Sequence, residues 1–213
     1  MVCKAINNID CNKAPGSDRL TIEHIVHAHP SIVNILTKLF NIMLQIGMVP
    51  DDFGQGVITP VPKFKINKEA VTADDFRGIT ICQIISKMFE HCILLYLNKL
   101  TTADRQFGFK KNVECNNSLH AVLKAINFFN NRKSTVSIGV FDLKKAFDRC
   151  NTFGILCMLQ DKLVNISIIN IIENWCSKNY TSLKWGNAIS HKVPLLCGVK
   201  QGGFYHPFYL RFL

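Results

Sequence analysis

The chain has 213 residues, 48% of them apolar and 19% charged, with only 12 Gly and 7 Pro. That composition excludes a disordered tail or a collagen-like repeat and fits one large domain or two small, closely packed ones. Lys and Arg number 25 against 15 Asp and Glu, a formal net charge of +10, which favours a polyanionic partner, either nucleic acid or an anionic membrane. The N-terminus MVCKAINNIDCNKAPG contains no apolar signal-peptide core, and no run approaches the roughly 18 apolar residues of a membrane span. The expectation is a soluble intracellular protein of the cytoplasm, the nucleus or both. Nine scattered cysteines without a C-x-x-C pair read as reduced, mostly buried thiols.

In chain order, SIVNILTKLFNIMLQI (31–46) has apolar residues at helical spacing, begins at a Ser that can cap and stops before Gly47. GVITPVPK (56–63) alternates β-branched residues with Pro60 and Pro62, which suits an edge strand or an extended arm. Residues 83–100 and 115–130 return to the helical period. STVSIGVFDL (134–143) is a β-branched run ending in an acid and predicts a buried strand. Helices are expected over 146–163 and 166–178, then two short strand-like runs, YTSLKW and HKVPLL, before a Gly-rich turn at 198–203. This order predicts an α+β fold with a small, mostly antiparallel sheet.

Three segments could carry chemistry. In FDLKKAFD (141–148), Asp142 at the end of a buried strand is costly unless it binds a cation; taken alone it better suits the N-cap of a following helix. In GVKQGG (198–203), paired glycines permit close backbone approach to a ligand while Lys200 and Gln201 offer donors, although a plain tight turn has the same sequence. Lys63 and Arg77 lie on the two sides of an expected fingertip hairpin and could grip a triphosphate, or could simply be solvated.

Together and in this order, these segments resemble the reverse transcriptases of non-LTR (LINE-type) retrotransposons. NKAPGSD (12–18) is similar to the KAPG-x-D block. GVITPVPK and DDFRGIT (74–80) are similar to the fingers motifs, and ISKMFEHCI (85–93) and QFGFK (106–110) to the K-x-F-E helix and Q-x-G-F turn. FDLKKAFD matches motif A, and GVKQGGFYHP matches motif B.

The resemblance implies the fingers and partial palm of a right-hand polymerase, residues 1–133 being mainly fingers and 134–213 partial palm. It implies an RNA template, a DNA primer and dNTP as partners, and two Mg²⁺ ions as cofactor for nucleotidyl transfer. Asp142 is then a catalytic metal ligand, with the carbonyl of Leu143 also facing the metal. Phe147 is the steric gate against a 2′-hydroxyl. Lys63 and Arg77 contact the triphosphate, while Gln201 and Gly202 line the nucleotide and template side. Asp148 caps or pairs instead of binding metal.

Departures from the family pattern are Arg19 after KAPG-x-D and Tyr205-His206 before Pro207. No aromatic-x-Asp-Asp hairpin follows motif B, since Ala73-Asp74-Asp75-Phe76 lies upstream within the fingers block; thumb and endonuclease sequences are likewise not seen. The expectation is a fragment without processive synthesis, the alternative being a catalytically inactive remnant that binds nucleic acid or a partner through its basic surface. His24, His27 and His29 with Cys3 and Cys11 lack zinc-finger spacing. Ile126, Phe128 and Phe129 are expected to pack in the core. Lys110, Lys111, Arg132 and Lys133 are candidates for a phosphate-tracking surface.

Overall fold

A computed structural model describes residues 1–63, 71–97, 100, 106–108, 113–143 and 145–202. Two short helices that sequence periodicity misses come first, α1 (Val2–Asn8) and α2 (Ile22–Val26). The second is held by a capping box in which Thr21 and His24 bond reciprocally. Helix α3 (Ser31–Ile46) has the predicted bounds and ends at Gly47, although Pro30, not Ser31, occupies its N-cap position.

Strand β1 (Gln55–Pro62) pairs antiparallel with β2 (Phe76–Cys82), with Val61 opposite Arg77. It is not simply an edge strand: Gln55–Ile58 also pair in parallel with β3 (Tyr180–Trp185), leaving β1 inside the order β2-β1-β3-β4. The prolines explain where the parallel register stops. Pro60 and Pro62 have no N–H to donate, and both lie in the half of β1 beyond Ile58 that pairs with β2 alone. Two short strands complete the sheet, both antiparallel to β3: β4 (Ala188–Ile189) and β5 (Val193–Pro194). The latter is all that forms of the run HKVPLL.

Helix α4 (Ile84–Leu97) falls within the predicted 83–100, and α5 (Cys115–Asn130) matches its expected range. The helix expected over 146–163 starts later, as α6 (Thr152–Asp161), because Asn151 caps it by accepting from the amides of Phe153 and Gly154 at 2.9 and 3.4 Å. Asn165 caps α7 (Ile166–Ser177) in the same way.

The core gathers α1, α3, α4, α6 and α7 around Met88 and Phe89. The Phe89 ring is stacked on Trp175 at 5.6 Å and tilted against Phe40 at 4.9 Å. Trp175 in turn donates through Nε1 to the Phe53 carbonyl at 3.0 Å, and Val49 N donates to Asn174 Oδ1 at 2.9 Å. Residues 49–54 are thereby clamped onto α7, which fixes where β1 begins.

Three expectations fail. Residues 134–143 form no strand, and Val140 and Phe141 are 88% and 97% exposed. A run of this composition is stable as a strand only with both edges paired and both faces covered, and no described strand runs beside it. No residue of α5 is buried: Phe128 and Phe129 are exposed, and Ile126 is half-buried, so this stripe is not core. The cysteines are mostly not buried either. Only Cys92 and Cys150 are, while Cys3, Cys11, Cys115 and Cys197 are exposed.

Candidate functional site

The turn at 198–202 is the joint of the molecule. Gly198 N donates to the Cys150 carbonyl and Val199 N to the Phe147 carbonyl, both at 2.9 Å. These two bonds fasten Phe147, within FDLKKAFD, and Cys150, two residues beyond it, to the start of GVKQGG. At Gly198 φ is +85°, and a Cβ there would lie 2.8 Å from the Phe147 oxygen and 2.9 Å from Asp148 Cα. Glycine is required both by the backbone and by the space. Further along, the Gln201 carbonyl accepts from Thr80 N at 2.5 Å, and Gly202, at φ +117°, runs so close to the Thr80 carbonyl that a Cβ would sit 2.7 Å from it. The close approach expected of the glycines is thus made to β2.

Lys200 serves the same joint. Its Nζ donates to the Gly54 carbonyl, at the start of β1. Burial pushes its pKa down, partly opposed by Cys82, Glu90 and Cys176 nearby. This cation is turned inward, so of the two donors expected in GVKQGG it is not the one offered to a ligand.

At the far end of the hairpin, Lys63 N donates to the Asp75 carbonyl at 2.9 Å and Lys63 Nζ to the Asp74 carbonyl at 2.6 Å. The Asp74 carboxylate pairs with Lys145 Nζ at 2.8 Å. FDLKKAFD therefore touches the fingertip hairpin as well as GVKQGG. Lys145 was not singled out by sequence reasoning, though its place inside the motif was the available signal. Arg77 is exposed on β2, two residues beyond Asp75. ADDF forms a 3-10 turn, Ala73–Asp75, capped by Thr72; it is no catalytic hairpin.

The N-terminal block closes another side. Asn12 N donates to Glu23 Oε1 at 2.5 Å, and with Thr21 this holds the Glu23 carboxyl at about 2, below its ordinary 4.5. Gln83 Nε2 reaches Ser17 Oγ at 3.4 Å. Between this block and β2 lies a cavity of about 330 Å³ bordered by Lys13, Ala14, Leu20, Thr80, Lys87 and Gly202, a size within the range of small-ligand pockets.

Asp142 stands apart from this assembly. It lies exposed in the irregular segment, neither at a strand end nor at a helix cap, with exposed Leu143 beside it. Phe147, half-buried, reaches the joint through its carbonyl. Among the described residues no three of His, Cys, Asp and Glu come together to hold a metal ion. A two-cation centre needs several carboxylates, so this donor set does not fit Mg²⁺. His24 and His29 bond Thr21 and Ser31 through Nδ1, both at 2.9 Å. The Arg132 guanidinium lies 3.5 Å over the Phe128 ring. Lys110, Lys111, Gly203, Tyr205, His206 and Pro207 lie outside the described residues. No helix among the described residues is long and apolar enough to cross a membrane.

No protein-family profile matches the sequence. Individual relatives do. The chain is 22% identical over 211 residues, 97% of its own length and 23% of the relative's, to a probable RNA-directed DNA polymerase from transposon BS of Drosophila melanogaster. It is 23% identical over 201 residues, 92% of its own length, to that of transposon X-element from the same species. It is also 24% identical over 215 residues, 97% of its own length, to the RNA-directed DNA polymerase from mobile element jockey of Drosophila funebris. Over most of its length the chain is thus similar to a segment of RNA-directed DNA polymerases from Drosophila transposable elements, and it spans less than a quarter of the length of these curated relatives.

Proposed function

We propose that this chain is the fingers and partial palm of a non-LTR RNA-directed DNA polymerase, fingers over about residues 1–133 and partial palm over 134–213. Its task is to seat an RNA template, the end of a DNA primer and an incoming dNTP. The observation that carries this reading is homology to RNA-directed DNA polymerases over 92–97% of the chain. The joint at 198–202 supports it: a turn bonded both to Phe147 and to Thr80 brings motif A, motif B and the fingers hairpin around one region, as a nucleotide pocket requires.

In this reading Lys63 and Arg77 take the triphosphate, and charge-assisted bonds from exposed cations suit that role. Phe147 lies under the sugar and excludes a 2′-hydroxyl. Gln201 and Gly202 border the base and template side. Asp142 and the Leu143 carbonyl are the motif A positions that would face the metal in the intact relatives; the described residues by themselves do not fit a two-cation centre.

The isolation of Asp142 favours a second reading, in which the chain binds nucleic acid without catalysing transfer. The basic balance of +10 serves both readings, and phosphate-dominated binding should weaken with a log–log salt slope of about −0.7 per contacted phosphate on single strands.

The test is template-directed labelling. The chain is bound to an RNA template annealed to a DNA primer and given a photoreactive dNTP. Labelling by the matched nucleotide, reduced by up to about five-fold (roughly 1 kcal/mol per lost charge) by Lys63→Ala or Arg77→Ala, is expected. Equal labelling by matched and unmatched nucleotides overturns the proposal. Mg²⁺-dependent primer extension that is lost in Asp142→Ala would exclude the second reading.

A further inference from the structure

We propose that Lys145 is an additional cation for the polyphosphate of the incoming nucleotide, and that Asp74 is the counterion it exchanges for phosphate. The inference rests on the functional reading above and extends it to two residues that the motif comparison leaves unassigned.

Two ammonium groups from different parts of the chain rest on one residue. Lys145 Nζ is 2.8 Å from Asp74 Oδ1, and Lys63 Nζ is 2.6 Å from the carbonyl oxygen of Asp74. All three groups are open to solvent: the Lys145 side chain is 48% exposed, that of Asp74 is 68% exposed, and Lys63 is exposed. An arriving anion can therefore reach both cations without unpacking the core.

The exchange is favourable on chemical grounds. Lys63 Nζ gives its bond to a neutral carbonyl, and the carboxylate on Lys145 is one exposed acid in a screened surface pair, a weak association. A polyphosphate offers several negative oxygens, so it gains two charge-assisted bonds while one charged and one neutral contact are released.

The backbone around Lys145 supports a fixed role. Its φ is +57°, a left-handed conformation that is unfavourable for a side chain with a Cβ. The turn is held by the Lys145 carbonyl accepting from Asp148 N at 3.1 Å and Arg149 N at 3.2 Å. Strain of this kind persists where the surroundings enforce it. Here it presents Lys145 to the hairpin two residues before Phe147, the position read as facing the nucleotide sugar.

The test uses inorganic tripolyphosphate and calorimetric titration of the full chain at low ionic strength, without template or divalent metal. Lys145→Ala should weaken binding about five-fold or more, as expected for losing one close charge on a screened surface. Lys145→Arg should restore most of it. Asp74→Asn should tighten binding by a similar factor, because the competing carboxylate is gone. Lys38→Ala, an exposed cation on α3, controls for net charge and should change little. The proposal is overturned if Lys145→Ala binds as Lys38→Ala does, or if Asp74→Asn weakens binding. Should Lys145→Ala fold poorly, the direction of the Asp74→Asn change decides alone. Since no template is present, failure of template-directed labelling with these results intact would remove the polymerase reading and leave the polyphosphate site standing.

Discussion

Substituting Gly198 with Ala tests whether the joint between motifs A and B is a cooperative part of the fold. The left-handed backbone at φ +85° alone makes an L-residue unfavourable by about 1–2 kcal/mol. The added Cβ also meets the Phe147 oxygen at 2.8 Å and the Asp148 Cα and carbonyl oxygen at 2.9 Å. These are backbone atoms, which cannot swing aside as a side-chain tip does, so the turns must separate. Two 2.9 Å hydrogen bonds, Gly198 N to Cys150 O and Val199 N to Phe147 O, are then lost, at about 1 kcal/mol each. The total is about 3–4 kcal/mol. Gly186 is the matched comparison: its φ is +58°, but nothing lies within 4 Å of the added Cβ. Gly186→Ala should therefore lose only the conformational part, about 1–2 kcal/mol. Urea midpoints should differ between the two variants by about 2 kcal/mol, or about 4–8 °C in melting temperature for a chain of this size. Hydrogen exchange should show the Val199 amide deprotected in Gly198→Ala alone. Equal midpoints for the two variants, or a protected Val199 amide in Gly198→Ala, would refute the reasoning.

Three further outcomes follow from the same structure. Phe89 is 0% exposed and packed on Phe40 and Trp175, so Phe89→Ala should destabilise by about 3–5 kcal/mol, read as the shift in urea midpoint; a loss under about 1 kcal/mol would contradict the core assignment. Asp142 is exposed in irregular chain, so Asp142→Ala should leave stability within about 0.5 kcal/mol, and a larger thermal shift would mean that it makes structural contacts. Desolvation raises the thiols of buried Cys92 and of Cys176, which is half-buried against the core, from 9.0 to about 11. The folded chain keeps these protons after the unfolded chain has lost them, so stability should fall as pH rises from about 9 to about 11, by about 2 kcal/mol for the buried Cys92. Lys200 works with the opposite sign, its lowered pKa letting the folded chain deprotonate first; Cys92→Ala should flatten the net decline in urea midpoint across this window, and an unchanged slope would count against the assignment.

Legibility in the sequence followed the range of the interactions involved. Helices α3, α4, α5 and α7 were readable because their apolar period is a local signal. The start of α6 was missed because Asn151, a capping residue, outranks the apolar residues before it. The hairpin of β1 and β2 was readable from its flanking motifs, but the parallel pairing of β1 with β3 was not, since those residues are separated by most of the chain and only tertiary packing aligns them. At the site, the sequence marked Gly202 as a place of close approach without revealing that the neighbour is the Thr80 carbonyl. It gave no hint that Lys200 points inward or that Asp74 and Lys145 pair, because both depend on which surfaces meet.

The same distinction separates the two halves of the candidate site. Residues 145–150 are fixed by bonds within their own turn and by two backbone bonds to Gly198 and Val199. The proposed triphosphate side, Lys63, Lys145 and the turn at 198–202, is held by contacts that the described chain itself supplies. Asp142 lies only three residues before Lys145, yet it ends the irregular stretch 134–143, which pairs with no described strand. With Val140 and Phe141 almost fully exposed, those residues leave an apolar surface that water does not favour. Among the described residues of the motif, Asp142 therefore sits where no backbone bond fixes the chain, whereas Lys145 sits in the turn that such bonds hold. The proposed polyphosphate site is thus separable from Asp142: tripolyphosphate binding should be unchanged in Asp142→Ala and weakened in Lys145→Ala.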